Sequence, residues 1–213
     1  MEKLLKKTLL SNKPLLLYDG DGREKETDII FYPKNITYKE VQFLRKNAGG
    51  LLCIAVSEEL SNTLNLPFIS DLLPENCRKL KIRKTPYGDK PAFSISINHR
   101  KTFTGITDTD RAKTIFSFFK VAKSKSRKKF LDNFYSPGHI FLLRAANPSK
   151  RCGHTELSTL LFSKIGLTPV AVLCEMLADN GKALDPGSAK RFAKKHNLLF
   201  LKKEDVLMLG EKK

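Results

Sequence analysis

The chain has 213 residues, of which 41% are hydrophobic and 29% are charged, as in ordinary globular proteins. A chain of this length builds one sizeable hydrophobic core, so we expect a single domain over residues 1–213. Its apolar runs are all much shorter than the ~20 residues that a membrane-spanning helix needs. Residues 1–10 also lack the apolar core and cleavage site of a secretory signal, so we expect a cytoplasmic protein without a membrane partner.

The chain is strongly basic, with 39 lysines and arginines against 22 acids and a formal net charge of +17. Such a charge raises nucleic acid as a partner. The densest basic tract, residues 120–129, contains six cations and no acid, but no aromatic residues alternate with them to stack on bases. A solvated basic face is therefore favoured over a nucleic-acid interface, and an RNA-associated binding protein remains an alternative.

Helical and strand patterns alternate along the whole chain. Thr37 and Glu40 form a capping box, Asp108 or Asp110 can cap a helix that runs to about Ala122, and Gly166 closes another helix. The predicted helices are 1–10, 38–47, about 108–122, about 155–165 and about 186–197. The predicted strands are 15–18, 51–56, 93–97, 140–143, 169–174 and 198–201. This alternation predicts a mixed α/β (α+β) fold in one unit, with loop 78–90 as a mobile lid.

An acidic run, residues 19–28, directly follows the first predicted strand. Five carboxylates surround Arg23 there, and their mutual repulsion calls for a cation or a polar ligand. Gly20 and Gly22 also suit an ordinary solvated turn, which is the structural alternative. The acids are Asp19, Asp21, Glu24, Glu26 and Asp28.

Three further segments carry groups suited to chemistry. The sequence SPGH presents His139 at the start of a predicted strand, and Glu175 follows another strand. In RCGHTE, Arg151 and the amides of residues 153–155 lie at a helix N-terminus, which favours a phosphate. Each feature alone is more often structural. Together they supply an oxygen-rich cation site, an anion cradle and proton-transfer groups, which predicts metal-assisted chemistry on a sugar phosphate.

The sequence resembles the 3,4-dihydroxy-2-butanone 4-phosphate synthase family over nearly its whole length. The stand-alone form is expected because no cyclohydrolase domain follows Lys213 in this sequence. The order and spacing of the matching segments are far more specific than any single motif. These segments are YDGDGREKETDII, RKNAGGLLCIAV, SISINHRKTFTGITDTDRAKTI, FYSPGHIFLLRA, RCGHTELS and VAVLCEMLADNGKAL.

The resemblance implies conversion of D-ribulose 5-phosphate to L-3,4-dihydroxy-2-butanone 4-phosphate and formate, a lyase reaction of riboflavin biosynthesis. It implies Mg²⁺ or Mn²⁺ as cofactor, a sandwich with a mixed sheet flanked by helices, and a homodimer whose sites draw residues from both subunits. Glu24 and His154 match the metal ligands, and His139 and Glu175 match the catalytic positions. Substrate-binding positions are matched by Arg23, Glu24, Asp28, Cys53, Thr104, Arg151, Cys152, Gly153, His154, Thr155 and Glu175. Asp19, Asp21 and Glu26 match pocket positions of uncertain role.

Two alternative functions stay open at this point. A basic RNA-associated protein would bind a generic oligonucleotide tightly and lose it steeply with ionic strength. Another metal-dependent isomerase or aldolase could apply the same groups to a different sugar phosphate. Analysis of the products formed from ribulose 5-phosphate separates the enzymes.

Overall fold

A seven-stranded mixed sheet forms the centre of the computed structural model, which describes residues 1–80 and 85–210. Its strands are β1 (Leu15–Tyr18), β2 (Thr27–Phe31), β3 (Cys53–Val56), β4 (Phe93–His99), β5 (Phe134–Arg144), β6 (Val170–Glu175) and β7 (Leu199–Lys202). Their order in the sheet is β4-β5-β3-β6-β2-β1-β7. The pairs β5/β3 and β1/β7 are parallel and the others antiparallel, so the predicted mixed α/β class is confirmed.

Helices cover the sheet and connect its strands. In the described ranges they are α1 (Glu2–Leu10), α2 (Tyr38–Asn47), α3 (Glu58–Leu64), α4 (Ile69–Leu72), α5 (Asp108–Lys123), α6 (Arg127–Asn133), α7 (His154–Lys164), α8 (Pro186–Lys195) and α9 (Lys203–Leu207), with short 3₁₀ helices at Pro33–Asn35 and Glu75–Leu80. The described helices include none long and apolar enough to cross a membrane.

The core lies on both faces of the sheet. Every residue of β1 and β3 is buried, and successive strand residues point to opposite faces, so both faces must be covered. Helix α7 packs against β1, β3 and β6, while α5 packs against β4, β5 and β6. The continuous apolar runs in the sequence therefore reflect strands buried on two sides.

Local cap signals predicted several helices well. Thr37 and Glu40 form the predicted capping box of α2, and Asp185 caps α8 through the Ser188 amide. The predicted cap of α5 was wrong, since the hydroxyl of Thr107 accepts the Asp110 amide and the helix begins at Asp108. The Asp110 carboxylate instead accepts backbone amides of the preceding loop.

Some strands differ from the prediction. The sequence did not predict β2, and β5 begins at Phe134, so His139 lies inside a strand rather than at its start. Strand β6 extends to Glu175, which is its last residue. The predicted alternation in β4 was wrong at its start, because Ser94 is buried and Phe93 exposed where the register against β5 shifts.

The short helices α3, α4, α6 and α9 were not predicted either, because each has at most 7 residues and shows little periodicity. The predicted lid, 78–90, falls partly outside the described residues. Residues 78–80 end the 3₁₀ helix Glu75–Leu80, and residues 85–90 form a turn in which the Thr85 amide donates to the Asp89 carbonyl at 2.7 Å.

The sheet topology brings several polar strand ends together. Strand β6 is antiparallel to both β2 and β3, so its last residue lies near their first residues. Glu175 is the cross-strand partner of Asp28, and Cys53 is the partner of Leu173. The acidic run leaves the end of β1 at this same edge, because β1 is antiparallel to β2. One end of the sheet therefore collects the predicted site.

Candidate active site

A cavity of about 210 Å³ opens at this end of the sheet, and we call it the site cavity. Eight of the predicted substrate-binding or catalytic residues line it, drawn from the acidic run, β2, β3, β6 and the start of α7. They are Glu24, Asp28, Cys53, Arg151, Gly153, His154, Thr155 and Glu175, and the other lining residues are Thr85, Tyr87, Pro91, Ala92, Phe93, Leu143 and Leu173. Segments far apart in the sequence thus meet in one pocket.

His154 lies among carboxylates. Its Nδ1 is 3.5 Å from Glu24 Oε2, and its Nε2 is 3.7 Å from Asp28 Oδ1. The Nε2–H also donates to the Glu26 carbonyl oxygen at 3.2 Å. This second contact fixes the ring orientation and leaves Nδ1 directed at Glu24.

The electrostatics of this cluster are strongly coupled. Burial lowers the pKa of His154, but the Asp28 and Glu24 carboxylates outweigh it and raise that pKa to about 10. Burial raises the pKa of Glu24, but hydrogen bonds from His154 and Tyr87 overcome it and hold the pKa near 2. Asp28 is the opposite case, because burial dominates and raises its pKa to about 8. At neutral pH these pKa values make His154 a cation, Glu24 an anion and Asp28 largely neutral.

The donor set fits a divalent cation. One ligand atom each from Asp19, Glu24 and His154 lies within 4.8 Å of the others. Asp19 also accepts the amides of Glu24 and Glu26, both at 3.2 Å, so its carboxylate shapes the loop. Asp28 Oδ1 is buried and has no hydrogen-bond partner among the described residues. Carboxylate oxygens with one imidazole suit Mg²⁺ or Mn²⁺.

Glu175 is held rigidly at the cavity wall. Its Oε2 accepts the Leu51 amide at 2.8 Å, and its carbonyl oxygen accepts the Gly50 amide at 3.0 Å. A Cβ at position 50 would lie 2.4 Å from Oε2, so only glycine allows this approach. No local pattern indicates that Gly50 makes room for Glu175, since Gly49-Gly50 is equally typical of a helix stop.

The N-terminus of α7 differs from the predicted anion cradle. The Gly153 amide already donates to Glu156 Oε2 at 3.1 Å, so among the described residues it is not free for a ligand. The amides of His154 and Thr155 remain as first-turn donors. Glu156 is fully buried, accepts the Ala146 amide at 2.9 Å and lies 3.4 Å from Arg151 Nε. It thereby braces the segment that presents Arg151.

Arg23 joins the acidic run to the loop after residue 84. Its Nη1 lies 2.9 Å from Asp89 Oδ2, and its guanidinium lies 5.2 Å from the centre of the Tyr87 ring. A Cβ on Gly153 would meet Arg23 Nη2 at 2.8 Å, which accounts for glycine there. Arg23 thus supports the cavity from behind and does not line it.

Other predicted residues lie beside the cavity. Glu26 is partly buried, Asp21 is exposed and accepts a hydrogen bond from the Tyr18 hydroxyl, and Cys152 is partly buried next to Arg151. Cys53 does line the cavity, and burial raises the pKa of its thiol well above the usual value, which keeps the thiol neutral.

His139 and Thr104 lie elsewhere on the chain. His139 is four residues before Leu143 on β5, about 13 Å along the strand from that lining residue. Asn98 holds it, because its Nδ2 donates to His139 Nδ1 at 3.1 Å and its Oδ1 accepts the His139 amide at 2.9 Å. The Asn98 side chain also packs against Gly105, beside Thr104. The two residues therefore share a second location, which we call the Asn98 cluster.

Four polar residues of the site region were not predicted. Tyr87 hydrogen bonds to Glu24, Thr85 lines the cavity, Asp89 pairs with Arg23, and Glu156 braces Arg151. Only Glu156 carried a usable signal, since an acid three residues after a helix cap forms a capping box.

Comparisons with known proteins address the family. The family profile described as "3,4-dihydroxy-2-butanone 4-phosphate synthase" matches residues 4–209. The chain is 41% identical over 210 residues to the 3,4-dihydroxy-2-butanone 4-phosphate synthase of Methanothermobacter thermautotrophicus, covering 94% of this chain and 92% of that relative. The chain belongs to this family.

Two further matches agree with this assignment. The chain is similar to the crystal structure of the 3,4-dihydroxy-2-butanone 4-phosphate synthase of Candida albicans, with 28% identity, a TM-score of 0.78, and coverage of 99% of this chain and 97% of that one. It is 33% identical over 204 residues to the riboflavin biosynthesis protein RibBA of Aquifex aeolicus, covering 92% of this chain and 45% of the relative. The family predicted from the sequence is confirmed. Its reaction forms 3,4-dihydroxy-2-butanone 4-phosphate from ribulose 5-phosphate for riboflavin biosynthesis.

Proposed function

We propose that this chain acts as a lyase in the site cavity, converting D-ribulose 5-phosphate to L-3,4-dihydroxy-2-butanone 4-phosphate and formate. The observation that carries the proposal is the convergence of Glu24, His154, Arg151 and Glu175 on one cavity. These groups supply a cation site, an anion contact and a proton-transfer carboxylate, the three functions that the family's reaction requires.

Arg151 and the first turn of α7 are the proposed phosphate contacts. The Arg151 side chain is mostly buried and braced by Glu156, so it reaches a ligand with little loss of conformational freedom. The adjacent amides of His154 and Thr155 point out of a helix N-terminus, where the dipole favours an anion. We assign the substrate's phosphate group to this side of the cavity.

Glu175 is the proposed proton-transfer group of this pocket. The substrate must lose a proton beside its carbonyl before water and one carbon leave. A carboxylate fixed by the Leu51 amide at the cavity wall is placed to accept that proton. Asp28, directly opposite on β2, presents a second carboxyl group to the same substrate.

Glu24 and His154 are the proposed metal ligands, and Asp19 lies close enough to contribute. When bound, Mg²⁺ or Mn²⁺ supplies Lewis-acid stabilisation of the negative charge that develops on substrate oxygens. The Nε2–H contact of His154 with the Glu26 carbonyl keeps Nδ1 available toward Glu24.

A homodimer would bring the Asn98 cluster to the cavity of a partner protomer. Asn98 Nδ2 donates to His139 Nδ1, so the proton of the neutral imidazole lies on Nε2, on an exposed side chain. Two large apolar side chains of the loop that carries Thr104 are also exposed, Phe103 at 96% and Ile106 at 52%. Exposed apolar side chains close together are typical of interfaces. We therefore propose that His139 and Thr104 act in the site of the other subunit.

The test is formate release from ribulose 5-phosphate by the purified full chain. We expect turnover with Mg²⁺ or Mn²⁺, loss of turnover with a chelator and recovery when the metal is restored. Glu24→Gln should abolish turnover, whereas Glu58→Gln, an equal charge change at an exposed residue of α3, should not. A different product would overturn the proposed reaction, and full turnover in excess chelator would overturn the cation site.

A further inference from the structure

A second cavity lies between α5, α6 and the end of β4, and we call it the α5–α6 cavity. It measures about 260 Å³, several times the ~30 Å³ that a water molecule occupies in the liquid. It shares no lining residue with the site cavity. Phe93 lines the site cavity and His99, six residues later on the same strand, lines this one, a separation of about 20 Å. The lining residues are His99, Ser117, Lys120, Val121, Ser124, Lys129 and Asn133.

Helical spacing fixes the polar lining. Ser117 and Lys120 of α5 and its C-cap Ser124 recur at intervals of three and four, and Lys129 and Asn133 are four residues apart on α6. Side chains at these spacings lie on one helix face. The two helices therefore place two ammonium groups and the Ser117 hydroxyl beside a common space. The Ser124 hydroxyl and the Asn133 amide also line it, but they already donate to the Val121 and Lys129 carbonyls.

The cavity is electropositive. Lys120 and Lys129 line it, and no acid does so among the described residues. Neighbouring acids form ion pairs with other lysines. Asp132 lies 2.8 Å from Lys128 Nζ, and Glu59 lies 2.6 Å from Lys125 Nζ. Within the described ranges, the ammonium groups of Lys120 and Lys129 form no ion pair. Lys120 Nζ also lies 4.7 Å from the centre of the Phe116 ring, a contact that does not neutralise its positive charge.

His99 adds a buried donor. Its side chain belongs to a residue that is 7% exposed, and its Nδ1 accepts the Lys101 amide at 3.1 Å. The proton of the neutral ring therefore lies on Nε2, which makes no hydrogen bond to another residue in the described parts of the chain. Burial and the nearby Lys113, Lys101 and Lys120 lower the pKa of His99, as expected in a positive environment.

We propose that the α5–α6 cavity binds a small phosphate dianion, either inorganic phosphate or a phosphate monoester, independently of the substrate site. Two ammonium groups, the His99 Nε2–H and the Ser117 hydroxyl suit an oxyanion with two charges. A nucleic-acid strand fits less well, because the described lining includes no phenylalanine or tyrosine on which bases could stack. This site gives part of the chain's large positive charge a specific role.

The experiment follows the His99 ring signal by NMR while the full chain is titrated with inorganic phosphate or ribose 5-phosphate at constant ionic strength. The signal is assigned from its absence in His99→Gln. Arg151→Ala serves as the background, so that binding in the site cavity does not compete. We expect a saturable change in the chemical shift of His99. This result is separate from the proposed catalytic function, because either proposal can fail while the other holds.

Matched lysine pairs decide the outcome. Lys120→Gln with Lys129→Gln should weaken phosphate binding about tenfold or more, the loss expected for charge-assisted contacts. Lys123→Gln with Lys128→Gln removes the same charge from the same helices outside the cavity and should change affinity less than about twofold. A non-saturating shift, or equal weakening by both pairs, would overturn the proposal. Displacement of phosphate by RNA without a terminal phosphate, at lower concentrations than ribose 5-phosphate requires, would also overturn it in favour of nucleic acid.

Discussion

Asp28 of β2 and Glu175 of β6 are direct cross-strand partners at the end of the sheet that opens into the site cavity. Sheet register thus sets the spacing of two carboxyl groups that are 147 positions apart in the sequence. The Leu51 amide and the bare Cα of Gly50 then fix which way the Glu175 carboxylate points. The proton transfer proposed for Glu175 should therefore depend on Gly50, which does not line the site cavity.

Gly50→Ala tests this dependence. The added Cβ would lie 2.4 Å from Glu175 Oε2, so the carboxylate must shift. A displacement of this kind costs about 10²-fold in kcat with little change in KM, because ground-state contacts remain elsewhere. Gly22→Ala is the control, since a Cβ there meets nothing within 4 Å. Thermal unfolding of both variants monitors the fold, and an unchanged kcat in folded Gly50→Ala would refute the positioning role.

Glu156→Gln should impair both stability and substrate capture. The buried carboxylate accepts two backbone amides, and a glutamine has only one acceptor oxygen, so one amide loses its partner. We expect a loss of about 1–3 kcal/mol in the free energy of unfolding. KM should also rise, because Arg151 loses its brace. Urea unfolding and initial rates measure the two effects.

Glu40→Gln provides the matched comparison for this variant. Glu40 occupies the same third position of a capping box, in α2, but its hydrogen bonds to Thr37 are solvent-exposed. Both bonds are accepted by one oxygen, Oε2, which a glutamine can supply, and water reaches the site. The cost should therefore stay below about 1 kcal/mol, and KM should not change. Equal destabilisation by both substitutions would show that burial of Glu156 is not decisive.

The elements that were predicted correctly have local signals in the sequence, whereas the elements that were missed depend on long-range strand pairing. The capping box of α2 at Thr37 and the Asp185-Pro186 cap of α8 can be recognised from a few neighbouring residues. Strand β2 was missed because it follows an acidic run and is stabilised by β1 and β6, whose positions the local pattern does not contain. The convergence of the acidic run with Arg151 likewise required recognising the family, since each segment alone also suits a structural role.

The roles of Gly50 and His139 could not be predicted from local patterns either, because both depend on residues far away in the sequence or on another subunit. In the sequence, a glycine that is required because a side chain 125 positions away lies against it cannot be distinguished from a glycine that ends a helix. His139 lies outside the cavity of its own chain, so its proposed role depends on a second protomer, which one sequence cannot place. The dimer therefore remains a prediction, and it calls for a direct test.

Mixed dimers test the shared site. Glu24→Gln disables the cavity and His139→Asn disables the donated imidazole, so each variant alone should be nearly inactive. If the residues belong to opposite protomers, a randomly mixed dimer keeps one intact site, and a 1:1 mixture should regain about a quarter of wild-type activity. Light scattering checks the oligomeric state. Failure to regain activity in a mixture shown to exchange subunits would place His139 in its own chain's site or remove it from catalysis.

The ion pair between α2 and α5 should make stability depend on acid pH. Arg45 contacts Asp108 through Nε at 3.2 Å and Nη2 at 2.9 Å, and Arg111 adds a contact at 2.8 Å. Arg45 first, then Arg111, lowers the pKa of Asp108 below its ordinary 3.8. The unfolded state therefore binds this proton more readily, so the stabilisation is present above pH 3.8 and disappears as pH falls below it.

Asp108→Asn should thus lower the urea midpoint at neutral pH and leave it unchanged at a pH below the folded-state pKa of Asp108. Asp132→Asn serves as the control, because Asp132 pairs with one exposed lysine and is screened by solvent. Its midpoint should fall less at neutral pH. Urea unfolding of the two variants and the parent, followed by circular dichroism over the acid range, measures the difference. A deficit in Asp108→Asn that persists at the lowest pH would mean that lost packing, not the charge, stabilises the contact between α2 and α5.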